Sequence, residues 1–226
     1  MSLTKIPSRT DYVDEVYKSL LNAISAGVLA PGERITQEDL AEKFNVSRSP
    51  VLQALRLLKK DGLLEEAPGR GLVVAQLDPV RIGHLYQVRG SLDALAARLA
   101  SERKAKIPLS LIEEGRRAAQ GNDVNALIEA DTAFHKAIYE ASGNPYIVET
   151  AMLHWIHLRR VMGAVHQNKL GRSGIWDEHA AIVKAIHDGD ADLAASLSEK
   201  HTDIARESLV FTLSNHEIEP LRMKIS

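Results

Sequence analysis

"FNVSRSPVLQALRLLKKDG", residues 44–62, sets four basic side chains, Arg48, Arg56, Lys59 and Lys60, against one acid, Asp61. Ser47 is a good N-cap by residue type, and Pro50 falls in the first turn, where a missing N–H breaks no helical hydrogen bond. From there Val51, Leu55 and Leu58 recur at helical spacing until Asp61-Gly62 stops the run. The stretch predicts a short basic helix in a chain with 28 Lys+Arg against 30 Asp+Glu. A net charge of −2 gives no global attraction to a polyanion, so any nucleic-acid site must be local.

Upstream, Val13, Val16, Tyr17, Leu20, Leu21 and Ile24 predict an amphipathic helix behind a Thr10 cap, ended by Gly27 and the turn "LAPGER". Thr36 and Asp39 approximate a capping box that opens a short helix through Phe44, and Asn45-Val46 is the break before the basic helix. Downstream, "LLEEA" and "LVVA" flank "PGRG", which is hairpin chemistry. A helix, a tight turn, a second helix and a hairpin outline a winged helix-turn-helix over residues 1–75. In such a unit the second helix enters the major groove. Ser47 and Ser49 are then placed to hold phosphate, and Arg48 can donate two parallel bonds to guanine, worth about 1–3 kcal/mol of discrimination. Charge alone would equally describe a solvated face; the order of elements favours DNA.

The segment Gly27 to Val74 resembles the DNA-binding domain of the GntR family of bacterial transcription regulators. The family pattern runs G-x-L-x-P-G-x-x-L, then L-A-x-x-x-x-V-S-R-x-P-V-R-x-A-L, then G-L and a wing R-G, and the match is long and nearly gap-free. The resemblance implies a homodimer on a short palindromic operator of double-stranded DNA. One departure stands out: Leu52 and Gln53 occupy positions where the family usually has arginine and glutamate. Arg48, Gln53, Arg56 and the wing pair Arg70-Gly71 are therefore expected to read a different or a weaker operator.

"QLDPV", 76–80, reads as a linker. Residues 81–226 are helical in pattern, with breaks near "KIP", "QGND", "SGNP", "KLGRSG" and "DGDAD" that divide them into six helices. The fold class is mainly α: a winged helix-turn-helix followed by an all-helical bundle. With 45% hydrophobic residues the chain can bury a real core, and with no cysteine it has neither a disulfide framework nor a thiolate site. The start lacks the apolar region of a signal peptide and no stretch is long enough to span a bilayer, so a cytoplasmic protein is expected.

Within the helical part, the stripe of Val124, Leu127, Ile128 and Ile138 passes through Asp131 and His135. His179 aligns with Ile175, Ile182, Val183 and Ile186, and His201 with Leu193, Leu197 and Ile204. Four ionisable side chains from three helices thus face inward. An unpaired buried carboxylate costs several kcal/mol, so Asp131 needs donors or a counter-charge. A divalent metal held by one carboxylate and three imidazoles would answer that need; so would a buried arginine, and a lone inward histidine is more often a hydrogen-bonded core residue. Spacing alone leaves the choice open. His84, His154, His157, His166, His187 and His216 show no comparable pattern.

"LYQVRGSLDALAARLA", "DTAFHKAIYEASGNP", "EHAAIVKAIHDGD" and His201 resemble the FCD effector domain of the FadR-like branch of GntR regulators, over residues 79 to about 210. In many of that branch an aspartate and three histidines bind a metal; they match Asp131, His135, His179 and His201, which implies a divalent ion, zinc or nickel. Arg89, on the stripe of Ile82, Leu85 and Leu92, and Arg159, on the face of Val148, Met152 and Trp155, suit a carboxylate effector beside that metal. For either, a salt bridge to Asp131 or Asp93 is the plainer alternative.

The expected function is a ligand-responsive transcription regulator, a repressor by default, whose metal-assisted site binds a small carboxylic acid. A metal sensor is the alternative. A metalloenzyme is disfavoured by the lack of H-E-x-x-H and of a glutamate spaced as a general base beside these ligands; Glu178 diverges from His179 by about 100° around its helix.

Overall fold

Thr36 accepts a hydrogen bond from the backbone N–H of Asp39 at 3.2 Å, so the capping chemistry read in the sequence starts a helix where expected. The computed structural model describes residues 12–69, 71–165 and 172–215. Two compact units divide near Gln76. The first contains α1 (Tyr12–Ser25), β1 (Arg34–Ile35), α2 (Gln37–Lys43), α3 (Arg48–Lys60), β2 (Leu64–Glu66) and β3 (Leu72–Val74). Thr10, Arg70, His166 and His216 lie outside the described residues.

α1 buries Val16, Leu20 and Ile24, and α3 buries Val51, Ala54, Leu55 and Leu58, so each helix turns one apolar stripe inward, and Leu63, Leu64 and Val74 are buried in the same unit. Asn45, at φ 51°, makes the tight turn between α2 and α3, a conformation asparagine tolerates better than most residues. Ser47 stands at the N-cap of α3 in extended conformation, but its hydroxyl makes no capping hydrogen bond. The expected side-chain cap is absent; separately, Gln37 Nε2 reaches across from α2 and donates to the carbonyl of Arg48 at 2.9 Å.

The hairpin has a third strand that the sequence did not announce. β3 pairs antiparallel with β2 on one side and β1 on the other, with Val73 opposite both Glu65 and Arg34. The wing turn closes through Ala67 N–H to the Gly71 carbonyl at 3.1 Å, and Gly69 and Gly71 adopt φ of 94° and 97°, where a side chain would be strained.

The second unit holds α4 (Pro79–Glu102), α5 (Ser110–Gln120), α6 (Val124–Ala141), α7 (Pro145–Val165), α8 (Arg172–Asp188) and α9 (Ala191–Asn215). Four of the breaks read from the sequence, at "KIP", "QGND", "SGNP" and "DGDAD", fall between these helices; the fifth, "KLGRSG", begins outside the described residues, and its last three residues already belong to α8. α4 begins inside the expected linker: Asp78 accepts from the N–H groups of Val80 and Arg81, and Pro79 takes the first helical position.

α4 and α9 run antiparallel, with Gly83 against Val210, Gly90 against Thr202 and Arg98 paired to Asp192. Small residues, Ala96, Ala97 and Ala100 on α4 and Ala194, Ala195 and Ser198 on α9, let the two axes approach. That packing corrects the stripe assigned to His201. Leu193 and Ile204 are 47% and 45% exposed, and His201 is buried on the small-residue face with Ser198 and Thr202 instead. α6 packs among α4, α5 and α7, which explains why Phe134 and Tyr139 are buried as well as the predicted stripe.

Candidate functional site

Asp131 and His135 stand one turn apart on α6, and His179 on α8 and His201 on α9 come to them through the core. One ligand nitrogen from each of the three histidines can be chosen so that all lie within 4.8 Å of one another. The Nε2 atoms of His179 and His201 are 3.2 Å apart, and Asp131 Oδ1 is 3.6 Å from His179 Nε2 and 3.9 Å from His135 Nε2. All four side chains are at least nine-tenths buried. The sequence-predicted quartet is therefore one cluster.

The cluster is walled by rings. Phe134 stacks on His179 at 3.9 Å between centroids, Trp176 meets its edge at 4.7 Å, and Trp155 leans on His135 at 5.4 Å. Burial, then the charges of Arg89 and the neighbouring histidines, hold the His135 imidazole well below its ordinary 6.5; burial, then His201 and Arg89, do the same to His179. Burial raises the Asp131 carboxyl from 3.8, against the pull of Arg89. Neutral imidazoles presenting lone pairs are the ligand form of histidine.

Two carboxylates stand behind these rings: Glu178, which the sequence does not link to His201, and Asp93, the salt-bridge partner expected as the alternative for Arg89. Glu178 Oε2 accepts from His201 Nδ1 at 2.6 Å, which leaves the Nε2 lone pair of that ring facing the cluster. Asp93 is the second. It accepts from Arg89 Nε at 3.2 Å, from Thr202 Oγ1 at 3.2 Å and from the Tyr139 hydroxyl, and it lies 3.5 Å from His135 Nδ1. Its i, i+4 spacing from Arg89 was visible in the sequence. The Glu178 partnership was not, since it joins residues 23 apart on different helices.

Arg89 is buried as predicted, 5% exposed, with its guanidinium 4.8 Å from the Trp155 ring and 5.3 Å from Tyr86. Burial, the largest single influence, opposes its charge, but Asp93, Tyr86, Tyr139 and Asp131 together outweigh it and raise its pKa above the ordinary value. Its Nη2 donates to His135 Nε2 at 2.8 Å. Arg159 takes a different course: its Nη2 pairs with the exposed Glu129 on α6 at 2.5 Å. His187 serves the fold, with Nε2 2.9 Å from the N–H of Ile107.

Two imidazole nitrogens bound to one ion at about 2.0–2.1 Å stand roughly 2.9–3.4 Å apart, which brackets the His179–His201 spacing of 3.2 Å. His179 Nδ1 is buried without a hydrogen-bond partner, so the tautomer of that ring is not set by a protein neighbour. The histidine triad could hold an ion.

In the first unit, Ser47, Arg48, Ser49, Leu52, Gln53 and Arg56 share the exposed side of α3. Arg48 Nη1 is 3.3 Å from Glu38, both more than half exposed, and Gln53 Nε2 donates to Ser49 Oγ at 3.4 Å. Leu52 is 37% exposed on this face.

Residues 12–74 match the family described as bacterial regulatory proteins, gntR family, and residues 84–203, more than half of the chain, match the FCD domain. The chain belongs to the GntR family of bacterial regulators. It is 30% identical over 83% of its length to an HTH-type transcriptional regulator of Streptomyces ambofaciens, covering 80% of that protein. It is 28% identical to the HTH-type transcriptional regulator YdhC of Bacillus subtilis, covering 96% of this chain and 94% of that one. The transcriptional repressor NanR of Klebsiella aerogenes is 28% identical, over 88% of this chain and 86% of its own. Among solved structures, E. coli McbR/YncC superposes with a TM-score of 0.77 over 92% of this chain and all of that one; at 20% identity this speaks to fold alone. This GntR regulator thus pairs a DNA-binding unit with a ligand-responsive FCD unit, and among its described residues no helix is long and apolar enough to cross a membrane.

Proposed function

We propose that this GntR regulator is a cytoplasmic repressor that binds a palindromic operator as a homodimer and releases it when a small carboxylic acid occupies a metal-assisted site in the FCD unit. The repressor sense follows NanR, which is named a repressor. His135, His179, His201 and Asp131 would hold a divalent ion, zinc or nickel. Bound there, such an ion supplies electrophilic attraction for a carboxylate oxygen.

The protein's own residues do the rest. Glu178 and Asp93 orient two of the rings, Phe134, Trp155 and Trp176 exclude water, and Arg89 offers a planar fork to the same carboxylate. On DNA, Arg48 and Gln53 would meet base edges, Ser47 and Ser49 phosphate, Arg56 the site further along the helix, and Arg70 and Gly71 would contribute from the wing. The ligand acts by binding one arrangement of the DNA-binding units more tightly than another.

The observation that carries this reading is the meeting of three imidazoles, a carboxylate and a buried guanidinium from four helices in one water-poor cluster. A thermal-shift series of small carboxylic acids, with and without zinc, tests it on the native protein and on Asp131→Ala. A carboxylate should raise the melting temperature only in the native, zinc-loaded protein. An equal rise without zinc, or in Asp131→Ala, contradicts it.

A further inference from the structure

The lone pair of one nitrogen can be given once. His135 Nε2 faces the cluster, yet it accepts the Arg89 Nη2 hydrogen at 2.8 Å, with Nδ1 turned to Asp93 at 3.5 Å. The guanidinium is held to this place from two sides, by Asp93 at Nε and by the rings of Trp155 and Tyr86. It is also a full positive charge in a site that would receive a divalent cation. At such distances and with little water, like charges repel strongly.

Charge in the buried cluster adds to the same point. Arg89 contributes +1, and Asp93 and Asp131 contribute −1 each when ionised, which gives −1 before any charge on the imidazoles is counted. Glu178 is 37% exposed and screened by solvent. A divalent cation turns −1 into +1, and one carboxylate restores zero.

We propose that Arg89 makes cation and anion binding at this site interdependent: it competes with a cation for the His135 nitrogen, and once displaced it becomes the receptor for a single carboxylate. Arg89 is thereby a brake on metal binding as well as a ligand for the effector. This rests on the metal-assisted reading above and adds a sign to it. A residue that only grips the effector would leave metal affinity unchanged when removed; Arg89 removal strengthens it.

Zinc titration of the full-length protein by calorimetry, with no addition, with acetate and with the neutral isostere acetamide, tests this on native protein and on Arg89→Met. Native protein is expected to bind zinc roughly tenfold more tightly in saturating acetate, and not in acetamide. Arg89→Met is expected to bind zinc roughly tenfold more tightly than native without acetate and to gain less than about twofold from it. Arg89→Gln, which removes the charge while keeping a polar side chain beside Asp93, should follow Arg89→Met and serves if that variant fails to fold. Unchanged or weaker zinc binding in both variants, or an acetate gain that survives them, overturns the interdependence while the metal site stands. No zinc binding by native protein overturns both.

Discussion

Glu178→Gln isolates the outer support of the cluster without opening its core. The Glu178 side chain is 37% exposed, and its one described hydrogen bond into the cluster is the 2.6 Å bond from His201 Nδ1. A carboxylate can only accept, so it fixes the proton on Nδ1 and the lone pair on Nε2. A carboxamide can accept weakly or turn its NH2 to the ring, which moves the proton to Nε2 and removes that nitrogen as a ligand. Loss of such an outer partner costs about 10–100-fold in metal affinity, or about 1.4–2.7 kcal/mol. The fold should barely register the change: a half-exposed substitution away from packing moves stability by about 0.5 kcal/mol or less. Zinc calorimetry beside a chemical denaturation curve of the chelator-treated protein separates the two. Zinc affinity within twofold of native, in a variant of native stability, would refute the role given to Glu178 and the ligand role of His201 Nε2.

Three further outcomes are expected. Gly115→Ala puts a Cβ 2.0 Å from Cη2 of Trp176, a 1% exposed ring against His179, so the helical unit should lose about 1–3 kcal/mol; both tryptophans lie in that unit, and their fluorescence follows its unfolding. His135 and His179 are held below 6.5 in the folded chain, so below that pH the unfolded state takes up more protons: the stability they contribute is complete above 6.5 and falls with pH toward their folded values, by up to about 1.4 kcal/mol per pH unit for each. Asp131, shifted upward from 3.8, adds the opposite slope above that value, and urea denaturation of chelator-treated protein from pH 7.5 to 5 reads the histidine part. Leu52→Arg, on the exposed side of α3, should tighten DNA binding and steepen the salt dependence of log K by about 0.9 if the new guanidinium meets a phosphate, measured by fluorescence anisotropy.

Periodicity carried most of the architecture because its helices are long, each is bounded by glycine, proline or a cap, and one face of each is plainly apolar. It failed where the signal is short or the packing is close. β1 has only two residues, too few for alternation to show, and exists because β3 has a free edge beside it. On α9 the buried face is alanine, serine and threonine, so a search for large apolar residues followed Leu193 and Ile204 to the wrong side, although His201 itself is buried. Ser47 has the residue type of a cap without its hydrogen bond, because residue type does not set the rotamer.

The candidate site divides the same way. Asp131 and His135 share one turn, and His179 lies on an apolar stripe, so their inward direction was legible from spacing. Their convergence was a matter of tertiary packing and came only by resemblance. Asp93 lies one turn from Arg89 and was named as its possible partner, but its hold on Tyr139 and Thr202 crosses helices. Arg159 shows the limit of a helical wheel: its side chain is mostly buried, yet its guanidinium also pairs with Glu129 on another helix, a partner that spacing does not name.

Anomalous diffraction at the zinc edge, on crystals of the full-length protein grown with zinc, tests the metal centre most directly. One peak per chain, bonded to His135, His179, His201 and Asp131 with Arg89 withdrawn from His135, is the predicted result. A zinc peak bound elsewhere, or zinc-saturated crystals in which Arg89 still bonds His135 and the cluster holds no ion, would contradict the account.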